Sequence, residues 1–515
     1  MELLELRRQA RALVDDPVLT YRQRMHRLAA LAENALDPPP VSAACAEALE
    51  KRVICDLYEG NAPYRPRYVL PDYATFLRRG SAFLELGPAG DLDEALAHLL
   101  IAYTQVPSIT GYPVWLGDLD GLLEPYVADL DDDELHRRLR LFWISLDRIL
   151  PDAFTHANLG PGDTRVGRTA LRLERELLQV VPNLSLKVDP ELTPDDLVRD
   201  AVETVFACGQ PHFVNHPMMV GDLGPSYGVA SCYNSLRVGG GSHTLVRLNL
   251  REVALRHQGS RESFLEDLLP TYVELTAELM ESRIRHLVEE ARFFDHSWLV
   301  ADGLLHLDRY SAMFGLYGLA EAVSLVLEHE GVDGHYGRDD VADELAEQVL
   351  QRVAGLVAAR PMPHCEGNGG RAFLHSQSGI DSDIGVTAGC RIPVGDEPDL
   401  LRHLRTISPH HALFPAGISD VLAFDETTRR NPEAVVDVIR GAFRTGLRDF
   451  TFNLDSNDFI RITGYLVRKS DLAKIDHGAR HDSTFLGAGS VAESHVDRRA
   501  PKRVVAHELD AGPAR

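Results

Sequence analysis

Cysteine is scarce in this chain. Six occur in 515 residues, Cys45, Cys55, Cys208, Cys232, Cys365 and Cys390, and no two stand at Cys-x-x-Cys spacing. That excludes a disulfide framework and the common structural zinc motif. Long apolar runs are missing too: no stretch of about 18 uncharged apolar residues predicts a membrane span. An excess of positive charge is also lacking. Lys and Arg total 53 against 77 Asp and Glu, a formal net charge of −24. A nucleic-acid partner or an anionic membrane surface calls for the opposite balance, so neither is expected. The opening Met1–Asp15 is acidic and amphipathic, without the basic-then-apolar layout of a signal peptide. The expectation is a soluble cytoplasmic protein in a reducing compartment. No Gly-x4-Gly-Lys-Ser/Thr loop, Gly-x-Ser-x-Gly elbow or His-Glu-x-x-His helix is present.

What is present is an ordinary globular mix, 44% hydrophobic and 25% charged. Residues 1–200 read mainly as helices. Asp91–Tyr103 starts on an acidic cap and carries an apolar stripe through Leu92, Leu96, Leu99 and Leu100; Asp131–Asp147 reads similarly. Pro38–Pro40 separates an N-terminal hairpin of helices from the rest. From about 200 the texture changes. Pro211–Asn215, Leu245–Leu250, Ala372–His375 and Phe450–Leu454 read as buried strands, with helical patterns between several of them. Asp340–Ala358 is one such helix. Another runs over 431–446, with Asn431 as N-cap, Pro432 at its first position and Gly446 beyond its end. Such alternation predicts an α/β sheet or barrel, mostly parallel. The expected division is a helical region 1–200, a barrel 201–470 and a tail 471–515.

Two segments stand out. In Tyr227–Gly241 a single cysteine, Cys232, sits among small and polar residues ahead of Gly239-Gly240-Gly241. Read alone, it is a buried cysteine at a turn or a candidate nucleophile or radical carrier. In Phe459–Leu466 a strand-like run is broken by Gly464, which by itself reads as a bulge or turn. Other polar residues are candidates for a substrate pocket: His212, Asn215 and His216 just before the cysteine segment, Asn234 within it, and Glu366 in the glycine-rich His364–Arg371. His410-His411 is a weaker candidate. His364, Cys365 and His375 fit no familiar ligand spacing, so no metal is assigned.

Arg461-Ile462-Thr463-Gly464-Tyr465 closely resembles the glycyl radical motif, usually Arg-Val-x-Gly-Tyr, with Ile462 in place of the valine. The isolated Cys232 lies far upstream, as the thiyl cysteine does in that family. The wording around Ser231–Ser235 and Gly239–Gly241 is similar to the YjjI-type subgroup of glycyl radical enzymes, over most of the chain. The resemblance implies a ten-stranded α/β barrel preceded by a helical region, with the two residues on loops inside it. It implies that Gly464 stores a radical and that Cys232 relays it to a small polar organic substrate. It implies a separate activating enzyme using S-adenosylmethionine and a 4Fe–4S cluster, since this chain lacks a Cys-x3-Cys-x2-Cys run. No other cofactor is expected, and a homodimer is left open.

The residue types suit that chemistry. A glycyl α-carbon has no side chain to prevent flattening, so its unpaired electron spreads over the flanking amides. A cysteine S–H bond is close enough in strength to exchange a hydrogen atom with it. A dry cavity then protects the radical from quenching. Departures narrow the reaction. Ser231 precedes Cys232, where pyruvate formate-lyases carry a second cysteine. Asn234 stands where diol dehydratases carry Glu, so an elimination would need its base elsewhere, with Glu366, His212 and His216 as candidates. No cysteine follows Cys390, so the four-cysteine zinc site usual in anaerobic ribonucleotide reductases is missing. Elimination, bond cleavage and reduction all stay open. So do a ribonucleotide-reductase-like enzyme and a non-radical protein that keeps the barrel, whether thiol-dependent, metal-dependent or a binding module.

Overall fold

The computed structural model describes residues 3–468 except 18, 20, 57–58, 108–114, 150–154, 231–232, 377–382, 384, 394, 455–456 and 463–464, with backbone alone at 23 and 460–468. The fold is α/β, in two main sheets. In the first, β1 (Ile54–Asp56) and β2 (Tyr68–Leu70) run antiparallel to β9 (Gly240–Asn249), which continues parallel to β10 (Tyr310–Tyr317) and β11 (Phe373–Ser376). The second sheet contains β3 (Trp115–Asp118), β4 (His156–Leu159), β5 (Asn183–Val188) and β6 (His212–Asn215), all parallel. It is completed by β12 (Asp420–Phe424) and β13 (Asp449–Leu454), parallel to each other, with β13 antiparallel to β6. Two hairpins stand apart: β7 (Tyr227–Ala230) with β8 (Asn234–Arg237), and β14 (Phe459–Ile462) with β15 (Tyr465–Arg468). Among the described residues no sheet closes into a barrel.

Five short strands also lie before residue 200, among the more extensive helices of that region. β1 to β5 have three to six residues each, too short to show a period in sequence. One hydrophobic core, from Cys45 to Phe459, spans both parts of the chain.

The second sheet owes its two faces to strict alternation. Ala157, Leu159, Leu184, Leu186, Phe213, Phe450 and Phe452 share the outer face and are buried. Helices Asp195–Cys208 and Pro432–Arg444 contact one another on that side, and Phe206 packs 5.7 Å from Phe452. The inner face is polar and equally buried: Asn158, Asn183, Ser185, Lys187, His212, Asp449 and Thr451. A buried polar face needs partners or a ligand, and it is this face that meets the β7–β8 hairpin.

Helix ends follow their sequence signals, with one exception. Asp91 caps Leu92–Tyr103 by accepting from Glu94 N at 2.9 Å. The helix expected over 431–446 spans Pro432–Arg444; Asn431 sits at its N-cap position, but its side chain makes no capping bond.

Two buried carboxyls give the fold a pH signature. Glu174 accepts from Trp143 Nε1 and Gln210 Nε2, both at 2.6 Å, and burial pushes its pKa up to about 8. Burial raises Asp120 to about 7. Both stay protonated in the folded chain at pH values where the unfolded chain has released the proton. Stability from this source is full below the unfolded carboxyl range and is lost as pH rises through 7 and 8. Buried His243 and His410, lowered to about 4, and His411, lowered to about 3, act in the opposite sense, but only below their ordinary value of 6.5. The urea midpoint is therefore expected to fall between pH 6.5 and 8, and E174Q to reduce the fall. A midpoint constant over that window would contradict this.

Candidate active site

The β7–β8 hairpin lies against the polar inner face of the second sheet. Asn158 on β4 clamps it: its Nδ2 donates to Val229 O and its Oδ1 accepts from Val229 N, both at 2.9 Å. The same Oδ1 accepts from Trp115 Nε1 at 2.9 Å. Lys187 on β5 holds the root of the hairpin. Its Nζ donates to Tyr227 O at 2.9 Å, pairs with Asp118 at 2.7 Å and stands 4.1 Å from the Tyr227 ring centroid. Replacing Asn158 by alanine leaves three buried backbone and indole groups without partners. At ~1–3 kcal/mol for each uncompensated group, partial relaxation leaves an expected loss of about 3 kcal/mol. Urea denaturation measures it, and a loss under about 0.5 kcal/mol, typical of a surface change, would remove Asn158 from this role.

The far end of the hairpin meets the first sheet. Tyr233 is buried, and its hydroxyl donates to Ser376 O at 2.9 Å at the C-terminal end of β11. His375 stacks on Tyr233 with centroids 5.6 Å apart and hydrogen-bonds Ala416 O at 3.0 Å. Ser235 N donates to Ala416 O at 2.9 Å. Gly417, at φ +126°, lies so close to Tyr233 O that any Cβ there would overlap it. The hairpin thus spans the space between the two sheets. Tyr233 lies at the end where β10 and β11 finish and β4, β5 and β6 begin.

The sequence candidates separate along this axis. Cys232 and Gly464, with Ser231 and Thr463, lie outside the described residues. Arg461, Ile462 and Tyr465 belong to the β14–β15 ladder, in which Ile462 pairs with Tyr465 and Arg461 with Leu466. Asn234 is fully buried in β8; its Nδ2 donates to Ala230 O at 3.0 Å, and its Oδ1 has no hydrogen-bond partner. His212 is buried at the start of β6, with Nδ1 2.8 Å from Asp449 Oδ1 and 3.4 Å from Ser419 Oγ. His216 is displaced toward the hairpin root, where its Nδ1 lies 2.9 Å from Tyr227 OH. Asn215 donates to Phe443 O and Leu447 O, a structural anchor rather than a pocket group. Glu366 is exposed on the turn Glu366–Asn368, whose Gly367 abuts Arg309 and Tyr310 at the N-terminal end of β10. At ~3.3 Å per residue, β10 puts it roughly 20 Å from Tyr233, too far for a base. Gly240 and Gly241 of the triple glycine lie where a Cβ would strike Arg309 O and Tyr68 O, so their role is close strand packing. His410 and His411 are buried, bonded to Tyr336 OH at 3.0 Å and Arg448 N at 2.9 Å respectively. Among the described residues no three His, Cys, Asp or Glu side chains gather as a metal site.

A family model described as glycyl radical enzyme YjjI-like matches residues 19–502. The chain belongs to that family. This YjjI-like glycyl radical enzyme is 47% identical over 506 residues to the uncharacterized protein YjjI of Escherichia coli strain K12, covering 98% of this chain and 97% of that one. It is 40% identical over 501 residues to a protein of Haemophilus influenzae, covering 95% and 97%. Among solved structures, the anaerobic ribonucleotide reductase from Thermotoga maritima with MES in its active site superposes with a TM-score of 0.74 at 14% identity, over 92% of this chain and 94% of that one. The B12-independent glycerol dehydratase from Clostridium butyricum reaches 0.62 at 12% identity, over 85% and 82%. These two likenesses show a shared fold. Membership of the family implies an enzyme working through a glycyl radical. No helix among the described residues is long and apolar enough to cross a membrane.

Sequence reasoning missed several residues of the YjjI-like site. Asn158, Lys187, Ser376, Gly417 and Ser419 are scattered over 261 positions and carry no local motif, since 419 − 158 = 261. Polar–apolar alternation in Asn183–Val188 was the one available signal for the polar inner face.

Proposed function

We propose that Gly464 stores the radical and that Cys232, by exchanging a hydrogen atom with it, becomes the thiyl that attacks a small polar organic substrate. In the first step the Cys232 S–H bond breaks and a Gly464 Cα–H bond forms. In the second, the thiyl takes hydrogen from a substrate carbon, restoring S–H and leaving the radical on the substrate. The two sheets supply the strands from which the barrel that the family resemblance implies is built, with the working unit reaching back to β1 and the tail 471–515 following it. Activation falls to a separate radical S-adenosylmethionine enzyme with its 4Fe–4S cluster, and the reaction takes place in the cytoplasm.

One observation carries the reading. β13 runs antiparallel to β6, so it finishes at the end where β6 begins. The chain leaves Leu454 there, anchors Asn457 Nδ2 on Phe206 O at 3.2 Å, and enters the β14–β15 hairpin. Tyr233 lies at that same end. The segment that leads to Gly464 thus enters its hairpin from the end at which Tyr233, the residue after Cys232, is held. If the reaction is an elimination, the buried His212–Asp449 pair is the general base the geometry favours over His216 and Glu366. The deciding test is paramagnetic resonance of the anaerobically activated protein, with loss of the signal in Gly464→Ala.

A further inference from the structure

Six arginines are buried in the described structure: Arg65, Arg67, Arg247, Arg283, Arg391 and Arg448. Four have carboxylate partners: Glu33 for Arg65, Asp383 for Arg247, Asp56 and Glu59 for Arg283, and Asp222 for Arg448. Arg391 differs. Only 8% exposed, it forms no ion pair with any described carboxylate, and its Nη2 has no hydrogen-bond partner. Its Nε donates to Ser419 O at 2.7 Å, and its Cζ stands 5.6 Å from the ring centroid of Tyr233, next in sequence to Cys232. Leaving a buried guanidinium without a counter-charge is costly, by several kcal/mol on the usual scale. The fold places it where the hairpin ends.

Two further atoms on this side of the interior lack partners. Asn234 Oδ1, in the hairpin itself, is an unmet acceptor, and Ser185 Oγ, level with His212 on the neighbouring strand, is an unmet hydroxyl. His212, beside Ser185, is linked to Arg391 through Ser419, whose Oγ is 3.4 Å from His212 Nδ1 and whose carbonyl accepts from Arg391 Nε. His375, His403, His410, His411, Asp420, Arg448 and Asp449 are further charged or titratable groups around this corner. Asp420 lies 3.1 Å from His403 and Asp449 2.8 Å from His212, and Arg391 forms a direct ion pair with neither.

We propose that the substrate carries an oxyanion, a carboxylate or a phosphate, that Arg391 binds, together with a hydroxyl that Asn234 and Ser185 recognise. Guanidinium pairs with either oxyanion through two parallel hydrogen bonds, and the bound anion removes the cost of the isolated cation. The proposal rests on the glycyl radical reading, because it makes this corner the substrate site.

The test uses unactivated full-length protein, with inorganic phosphate and glycolate as probes in calorimetric titration. At least one should bind the wild type. R391M should weaken that binding at least about tenfold, the effect of losing a charge-assisted bond of ~1.5–3 kcal/mol. R391K, which keeps the charge, should retain part of it. Binding of phosphate alone assigns a phosphate ester, and binding of glycolate alone a hydroxy acid. Without ligand, R391M should melt no lower than the wild type, since it removes an uncompensated buried cation. Arg391 loses the assigned role if neither anion binds, if R391M binds as the wild type does, or if R391M melts several degrees lower. Activated R391M should still give the glycyl radical signal. Absence of that signal in activated wild type, with anion binding intact, breaks the radical reading and not the anion site.

Discussion

Cys232→Ala is expected to abolish turnover completely while the activated protein still displays the full glycyl radical signal. On the proposed mechanism the radical is installed at Gly464 by a separate enzyme, so its formation needs no thiol. Transfer to substrate does, because the alanine methyl C–H bond is too strong to exchange hydrogen with a glycyl radical. The change removes one sulfur atom, and the hairpin is held by contacts that do not involve it: Asn158 on Val229, Lys187 on Tyr227 and Tyr233 on Ser376. Stability should therefore move by no more than about 1 kcal/mol. Cys232→Ser should behave alike, since an O–H bond is stronger than S–H and the hydroxyl cannot relay the radical. Anaerobic turnover assays on spin-quantified samples separate the two effects. Measurable turnover by Cys232→Ala at equal spin would take the cysteine out of the mechanism. Loss of the spin itself would instead point to failed activation.

The buried cysteines among the described residues provide an internal comparison. Burial pushes Cys390 up to about 12 and Cys45 up to about 11, both far from thiolate character at neutral pH. Neither lies between the strands of a hairpin. A thiyl relay does not need a low pKa; it needs a position within reach of two carbon centres. The choice among six cysteines therefore rests on the sequence motif, not on acidity.

How far the sequence revealed this placement depends on the scale of each signal. The long helix Asp340–Ala359 was readable because Leu345, Val349, Val353 and Val357 repeat along one buried face. The buried strands β6, β9, β11 and β13 were visible as apolar runs bounded by turn residues. β4 and β5 were not, because His156, Asn158, Asn183, Ser185 and Lys187 look like loop residues unless the face opposite the helices is known to be polar. The motif pair pointed to chemistry through resemblance alone; composition and period favoured turns at both places. The three-dimensional arrangement supplies what one dimension omits. It separates Glu366 from His212 by the length of a strand, and it leaves Arg391 as a buried cation that nothing in Cys390-Arg391-Ile392-Pro393 would distinguish from a surface arginine.

Gly464 carries the largest expected effect. After anaerobic treatment with its activase, the wild type should show a doublet in electron paramagnetic resonance, because the one α-hydrogen left on the radical carbon splits the signal. Protein grown on α-deuterated glycine should show the splitting collapse. Exposure to air should then cut the backbone at Gly464 and release a C-terminal piece of about 51 residues, since 515 − 464 = 51. Gly464→Ala should give neither doublet nor fragment. A plainer role for this glycine must be kept apart from the radical one. Ile462 pairs with Tyr465, so only Thr463 and Gly464 stand between the paired strands, and connections of two residues favour glycine for its backbone freedom. An alanine that merely disturbed the hairpin would also lower the spin yield. The deuterium experiment separates the two, because it changes no atom's size and leaves the hairpin untouched. Collapse of the splitting locates the unpaired electron on a glycine α-carbon, and the fragment's N-terminal boundary identifies which one. An activated wild-type sample with no doublet, prepared with an activase shown to be competent on another substrate protein, would sink the radical reading.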